Sequence, residues 1–270
     1  MDYSKYFSLL DRPGASPAIC GYCGSYLNLG TLGEGFCHFC EAHINRREEK
    51  AKNPEIEKFS AIQLLIDEGN LDYAKKNLDA VTAESNNPNL LFGAGSVYKT
   101  LSGLKYGDLD YNRKGFMEEN SANIYSSLDL TSKSKEMFYK AIRLISDQTK
   151  TSPDDDLLYL SFISYIKLGR LLDAERTLSS MKTQKTSLMS EYANMVFCVE
   201  SNKKEGYAYT LELMTKENPN GIYYLAKYLL SQKKLSEAKL TLERLSAKVR
   251  MPDAVFLLHK IDRLLDEISL

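Results

Sequence analysis

The chain has 270 residues, 43% of them hydrophobic and 26% charged, the balance of a folded chain rather than a disordered one. Its 35 basic and 36 acidic side chains leave a formal charge of -1, so no global field draws it toward nucleic acid or an anionic membrane. No apolar run approaches the roughly 20 residues that span a bilayer. Residues 1–18 carry the acidic Asp2 and lack a basic region followed by a long apolar stretch, so a cytoplasmic protein is expected.

The next segment, 19–52, holds four of the five cysteines. Cys20-Gly21-Tyr22-Cys23 and Cys37-His38-Phe39-Cys40 form a C-x2-C-x13-C-x2-C pattern. In a reducing compartment such close pairs point to a metal rather than to disulfides. Each C-x2-C loop can aim two thiolates at one tetrahedral ion at about 2.3 Å. Four thiolates fill the shell and leave no place for a reactive water, so the expected cofactor is one structural Zn2+. The spacings differ from those of iron–sulfur clusters. His38 and His43 read as neighbours of the site rather than ligands.

Gly24, Gly30, Gly33 and Gly35 supply the turns that so small a module needs. After Cys40 the run EAHINRREEKAK reads as a helix, which would set the second pair near a helix start, where the dipole favours thiolate. This arrangement resembles the treble-clef zinc finger; a zinc ribbon, with both pairs on hairpin knuckles, is the alternative. Too small to bury much core, the module would draw most of its folding free energy from the metal.

Residues 53–270 carry a repeat. Pro54, Pro88, Pro153, Pro219 and Pro252 are separated by 34, 65, 66 and 33 residues, one or two multiples of about 33. Several follow a capping residue, as in Asn53-Pro54, Asn87-Pro88, Ser152-Pro153 and Asn218-Pro219. Proline suits the first helical position because its missing N–H had no intrahelical partner, and the Asn or Ser oxygen can accept from an exposed amide. The vacant points near Asn120-Ser121 and Thr186-Ser187 offer caps too. Each point is therefore expected to begin a helix.

Gly69, Gly103 and Gly169 follow their prolines by about 15 residues, where a helix should end and turn back. Small residues recur beyond the turn at Ala74, Ala174, Ala208 and Ala238. GNLDYAKKNL, GRLLDAERTL and KKLSEAKLTL align, matching Leu71, Leu171 and Leu235, then Leu78, Leu178 and Leu242. Apolar spacing of three and four marks one buried helical face. The segment KYGDLDYNRKGFMEEN, with Gly107 and Gly115, reads as frayed or looped.

This pattern resembles the tetratricopeptide repeat family, or a close helical-hairpin relative such as the Sel-type repeats. The resemblance covers roughly 54–270. It implies a mainly α, right-handed α-solenoid of about six hairpins closed by the final helix MPDAVFLLHKIDRLLDEISL. It also implies an inner surface, lined by the first helix of each hairpin, that takes a peptide or helix of a protein partner.

Catalytic signatures are missing from the sequence. The histidines are His38, His43 and His259, and no G-x4-G-K-[ST], H-E-x-x-H or G-x-S-x-G occurs, so neither an enzyme nor a small-molecule substrate is expected. Asp154-Asp155-Asp156 follows Ser152-Pro153 and reads as an acidic first helical turn. Gly93 to Ser96 reads as close helix packing, and Cys198 as a small buried hydrophobe. Tyr223, Tyr224 and Tyr228 read as core with hydroxyls at the surface, or as the lining of a partner groove.

The expected function is a non-catalytic zinc-binding adaptor or scaffold. The alternative is a ribosome- or transcription-associated factor whose zinc module contacts RNA or DNA, with Arg46 and Arg47 as candidate phosphate contacts. The first fifty residues carry five basic and six acidic side chains, which weighs against phosphate binding.

Overall fold

The computed structural model describes residues 18–27, 34–45, 56–111, 118–152, 154–181, 188–215, 219–246 and 251–268. They are mainly α-helical: α1 Ile56–Asp67, α2 Leu71–Thr82, α3 Pro88–Tyr111, α4 Glu118–Thr149, α5 Asp155–Lys167, α6 Leu171–Met181, α7 Leu188–Glu200, α8 Glu205–Thr215, α9 Pro219–Ser231, α10 Leu235–Ser246 and α11 Pro252–Ile268. Before them come four short strands, β1 Ala18–Ile19, β2 Tyr26–Leu27, β3 Glu34–Phe36 and β4 His43–Asn45, in two two-stranded sheets. No described helix is long and apolar enough to cross a membrane.

The chain divides into two compact units. One comprises Ile19–Tyr26 with Glu48–Asp154, the other Met1–Ala18, Leu27–Arg47 and Asp155–Leu270. Within the first, α1 packs on α2, α2 on α3 and α3 on α4. Within the second, each helix from α5 to α11 packs on the next, and the first helices α5, α7 and α9 also touch in succession.

The helix starts follow the proline lattice. Pro88, Pro219 and Pro252 each open a helix. At Pro88 the Asn87 side chain caps it, its Oδ1 accepting from the amides of Asn89 (3.0 Å) and Leu90 (3.4 Å). Helices α4 and α7 begin beside the two vacant points. Asp155 and Asp156 lie in the first turn of α5, as their position suggested. Pro54 and Pro153 lie outside the described residues.

Helix ends share one device. The amides of Gly69 and Asn70 donate back to Ile66 (3.1 Å) and Leu65 (2.8 Å), and those of Gly169 and Arg170 to Ile166 and Tyr165. The same pair of bonds closes α7 at Asn202 and Lys203, and α9 at Lys233 and Lys234. Each pivot sits in the left-handed region: Gly69 at φ 79°, Gly169 at 71°, Asn202 at 55° and Lys233 at 60°. Beyond the turn Ala74, Ala174 and Ala238 are fully buried, with Leu78, Leu178 and Leu242 one helical turn on.

Four expectations are corrected. Gly103 ends no helix: α3 runs through it to Tyr111, because each mid-helix glycine costs only about 1 kcal/mol and α3 packs along the 32-residue α4. The lattice units at 88 and 121 therefore form one long hairpin, which leaves five hairpins and the final α11 among the described residues. Gly107 is helical too, while Gly115 lies outside the described residues. In α8 the buried small residue is Gly206, not the exposed Ala208, since a Cβ at Gly206 would press on Val199 at 3.1 Å.

Candidate metal centre

Two knuckles with the same backbone carry the cysteine pairs. In the first, between β1 and β2, the Cys20 amide donates to the Ser25 carbonyl (2.9 Å) and the Gly24 amide to the Cys20 carbonyl (3.0 Å). In the second, between β3 and β4, Cys37 donates to Ala42 (2.9 Å) and Glu41 to Cys37 (2.9 Å). The residue after the second cysteine of each is left-handed, Gly24 at φ 73° and Glu41 at φ 68°. Strand β4 pairs antiparallel with β3, Phe36 opposite His43.

The helix expected directly after Cys40 is thus absent over 43–45, where the backbone is strand. Pairing with Glu34–Phe36 supplies the β4 amides with partners that a helix there would not. Both pairs sit on hairpin knuckles, the arrangement of the ribbon alternative. Residues 46–55, with Arg46 and Arg47, lie outside the described residues.

The sulfurs of Cys20, Cys23, Cys37 and Cys40 lie within 4.8 Å of one another, and all four residues are fully buried. A tetrahedral ion with bonds of about 2.3 Å sets sulfur–sulfur separations near 3.8 Å, so the quartet fits such an ion after small adjustments. Four soft donors suit zinc better than a hard cation. The amides of Phe39 and Cys40 point at the Cys37 sulfur (3.4 and 3.5 Å), and the Ser25 hydroxyl lies 3.2 Å from the Cys23 sulfur.

The first knuckle is seated by backbone contact. A Cβ on Gly93 in α3 would fall 1.9 Å from the Tyr22 carbonyl oxygen. One on Gly24 would fall 2.6 Å from the backbone of Phe59 and Ser60 in α1. Gln63 donates to the Cys23 carbonyl (3.1 Å), and Tyr22 meets Phe92 edge to face. The Gly93–Ser96 motif is therefore packing, as expected: Gly93 admits the knuckle, and Gly95 admits the Phe138 ring.

The second knuckle is held by a buried carboxylate. Glu41 accepts from Lys167 Nζ (2.9 Å), Tyr224 Oη (2.6 Å) and Tyr192 Oη (3.1 Å), while its backbone carbonyl accepts from Tyr159 Oη (2.8 Å). Asn220 donates to the Tyr192 hydroxyl (2.8 Å) and toward the Cys37 carbonyl (3.4 Å). Phe36 stacks on Tyr192 with ring centres 3.8 Å apart. The Lys167 and Glu41 side chains are only 4% and 9% exposed.

Burial by itself would raise the Glu41 carboxyl, yet the Lys167 charge and the bonds from Tyr224 and Lys167 outweigh it and hold the group below its ordinary value. Burial would lower the Lys167 ammonium, but Glu41 holds it above its ordinary value. Burial and the Glu41 charge push the hydroxyls of Tyr192 and Tyr224 well up, so both remain donors.

His43 is buried against Phe36 and Tyr159, with Nδ1 3.5 Å from an Asp156 carboxylate oxygen, and is not one of the clustered groups. His38, His259 and Cys198 are half-buried; Cys198 is less enclosed than a core residue. Tyr224 belongs to the core, but its hydroxyl faces inward to Glu41, while the Tyr228 ring lies tilted against Tyr207 with centres 5.7 Å apart.

Glu41, Lys167, Tyr159, Tyr192 and Asn220 escaped the sequence reading. Two signals were present. Tyr159, Tyr192 and Tyr224 are 33 and 32 residues apart, and Glu41 stands where the other knuckle has Gly24. Compared with known proteins, the chain matches no family model, no curated protein and no solved structure.

Proposed function

We propose that this chain is a non-catalytic adaptor: one structural zinc on Cys20, Cys23, Cys37 and Cys40 fixes a ribbon-like module, and a right-handed array of tetratricopeptide-like hairpins binds a protein partner. The observation that carries the reading is the quartet of buried thiols on two knuckles of like backbone. Four thiolates saturate zinc, so the metal would hold chain segments rather than activate water. Helical hairpins closed by repeated caps offer a long side-chain surface, which suits recognition of a protein.

In the unit holding Asp155–Leu270, the first-helix face around Tyr159, Tyr192 and Tyr224 carries the segment of the chain itself that bears Phe36, Glu41 and His43. A partner there would meet the faces this segment leaves open. The side of the second knuckle bearing Phe36 and Glu41 is likewise spent on internal contacts, which favours a protein ligand over nucleic acid. The purified full chain should carry about one zinc per molecule, and Cys20→Ser should abolish it, read by elemental analysis. A tagged chain purified with and without nuclease tests the adaptor role. A defined protein that survives nuclease supports it; ribosomal or polymerase subunits lost with nuclease would replace it with the nucleic-acid-associated reading.

A further inference from the structure

The two knuckles pose a chemical question. Their hydrogen bonds and pivot angles match, and the pivot of the first is glycine, the residue that the left-handed region favours. The second has glutamate there, in a conformation that works against any side chain. That side chain runs into a site where three donors meet its carboxylate, the Lys167 ammonium and the Tyr192 and Tyr224 hydroxyls, with Tyr159 on the backbone carbonyl and the Asp253 charge acting on both Glu41 and Lys167. Asn220 braces the Tyr192 hydroxyl from behind. The three tyrosines are the fifth, fifth and sixth residues of three successive first helices, so the repeat itself builds the site.

We propose that Lys167, Tyr192 and Tyr224 form a carboxylate-binding site, that Glu41 is its resident ligand, and that this capture positions Cys37 and Cys40 for the metal. Glu41 follows Cys40 directly, and Asn220 reaches the Cys37 carbonyl, so both ends of the second thiolate pair are tied to the helices. The positioning half rests on the zinc reading above; the carboxylate site stands without it.

Glu41→Gly in the full chain separates the possibilities, because glycine suits the left-handed backbone and removes the carboxylate with its two-carbon stem, leaving room for a small carboxylate ion. Zinc affinity, read by competition with a chromogenic chelator, should fall about tenfold to a hundredfold, the usual loss when a group supporting a metal ligand is removed. Added formate should restore both affinity and thermal stability in Glu41→Gly, chloride at equal ionic strength should not, and Lys167→Met/Glu41→Gly should not respond to formate. An unchanged affinity, or equal rescue by chloride, overturns the proposal. Should Glu41→Gly not fold, Glu41→Gln keeps the size and loses the charge; unaltered zinc affinity there overturns the proposal as well. If the wild type holds no zinc, the zinc reading fails, while formate-specific stabilisation of Glu41→Gly still decides the carboxylate site.

Discussion

Gly24 and Glu41 hold equivalent places in two matching loops and do opposite things. At Gly24 the absence of a Cβ lets the loop lie against the α1 backbone. At Glu41 roughly 1 kcal/mol of backbone strain is accepted, and a carboxylate is delivered to three donors. A second carboxylate, Asp79 in α2, accepts from Lys133 (2.8 Å), Lys75 (3.2 Å) and the Tyr98 hydroxyl (2.5 Å). Burial would raise Asp79, but these bonds hold it below its ordinary value. The unfolded carboxyl titrates near 3.9. The stability Asp79 confers is therefore complete above that pH and is lost as pH falls through the lowered folded value. Urea denaturation between roughly pH 2 and 5 should show this loss, and Asp79→Asn should flatten it. With Asp79 34% exposed, solvent screening keeps the effect modest.

Among elements, the hairpin turn was the most legible feature, directly where glycine marked it and by alignment with those segments at Lys233. Asn202 and Lys233 close their helices with the same two bonds as Gly69 and Gly169; asparagine tolerates the left-handed region better than most side chains, whereas nothing in the chemistry of lysine announces it. Lys233 is exposed and pivots at φ 60°. Lys233→Gly should relieve the left-handed penalty and stabilise the chain by about 0.5–1 kcal/mol, read from the urea midpoint at unchanged slope. Gly103 teaches the converse: a glycine at the right interval made no turn, because packing against α4 kept α3 continuous. Prolines were more dependable, since a residue with no amide to offer is tolerated where a helix begins.

Across the whole chain, charge is near balance, and on the adaptor reading proposed above, capture of a protein should persist as salt rises from about 50 to 200 mM, where phosphate-dependent binding collapses. The sequence by itself determined the thiol quartet, the helix starts at Pro88, Pro219 and Pro252, and the buried Ala74, Ala174 and Ala238 of the second helices, because each depends on local chemistry: ligand spacing, a missing amide, a side-chain volume. It could not decide the strand at His43–Asn45, where pairing with β3 overrode a run that reads as helix. Nor could it show that the tyrosine ladder faces Glu41, more than a hundred residues away in the chain. Only the tertiary structure settles which buried donor meets which buried charge, since that partnership is fixed by desolvation and by packing between elements remote in sequence.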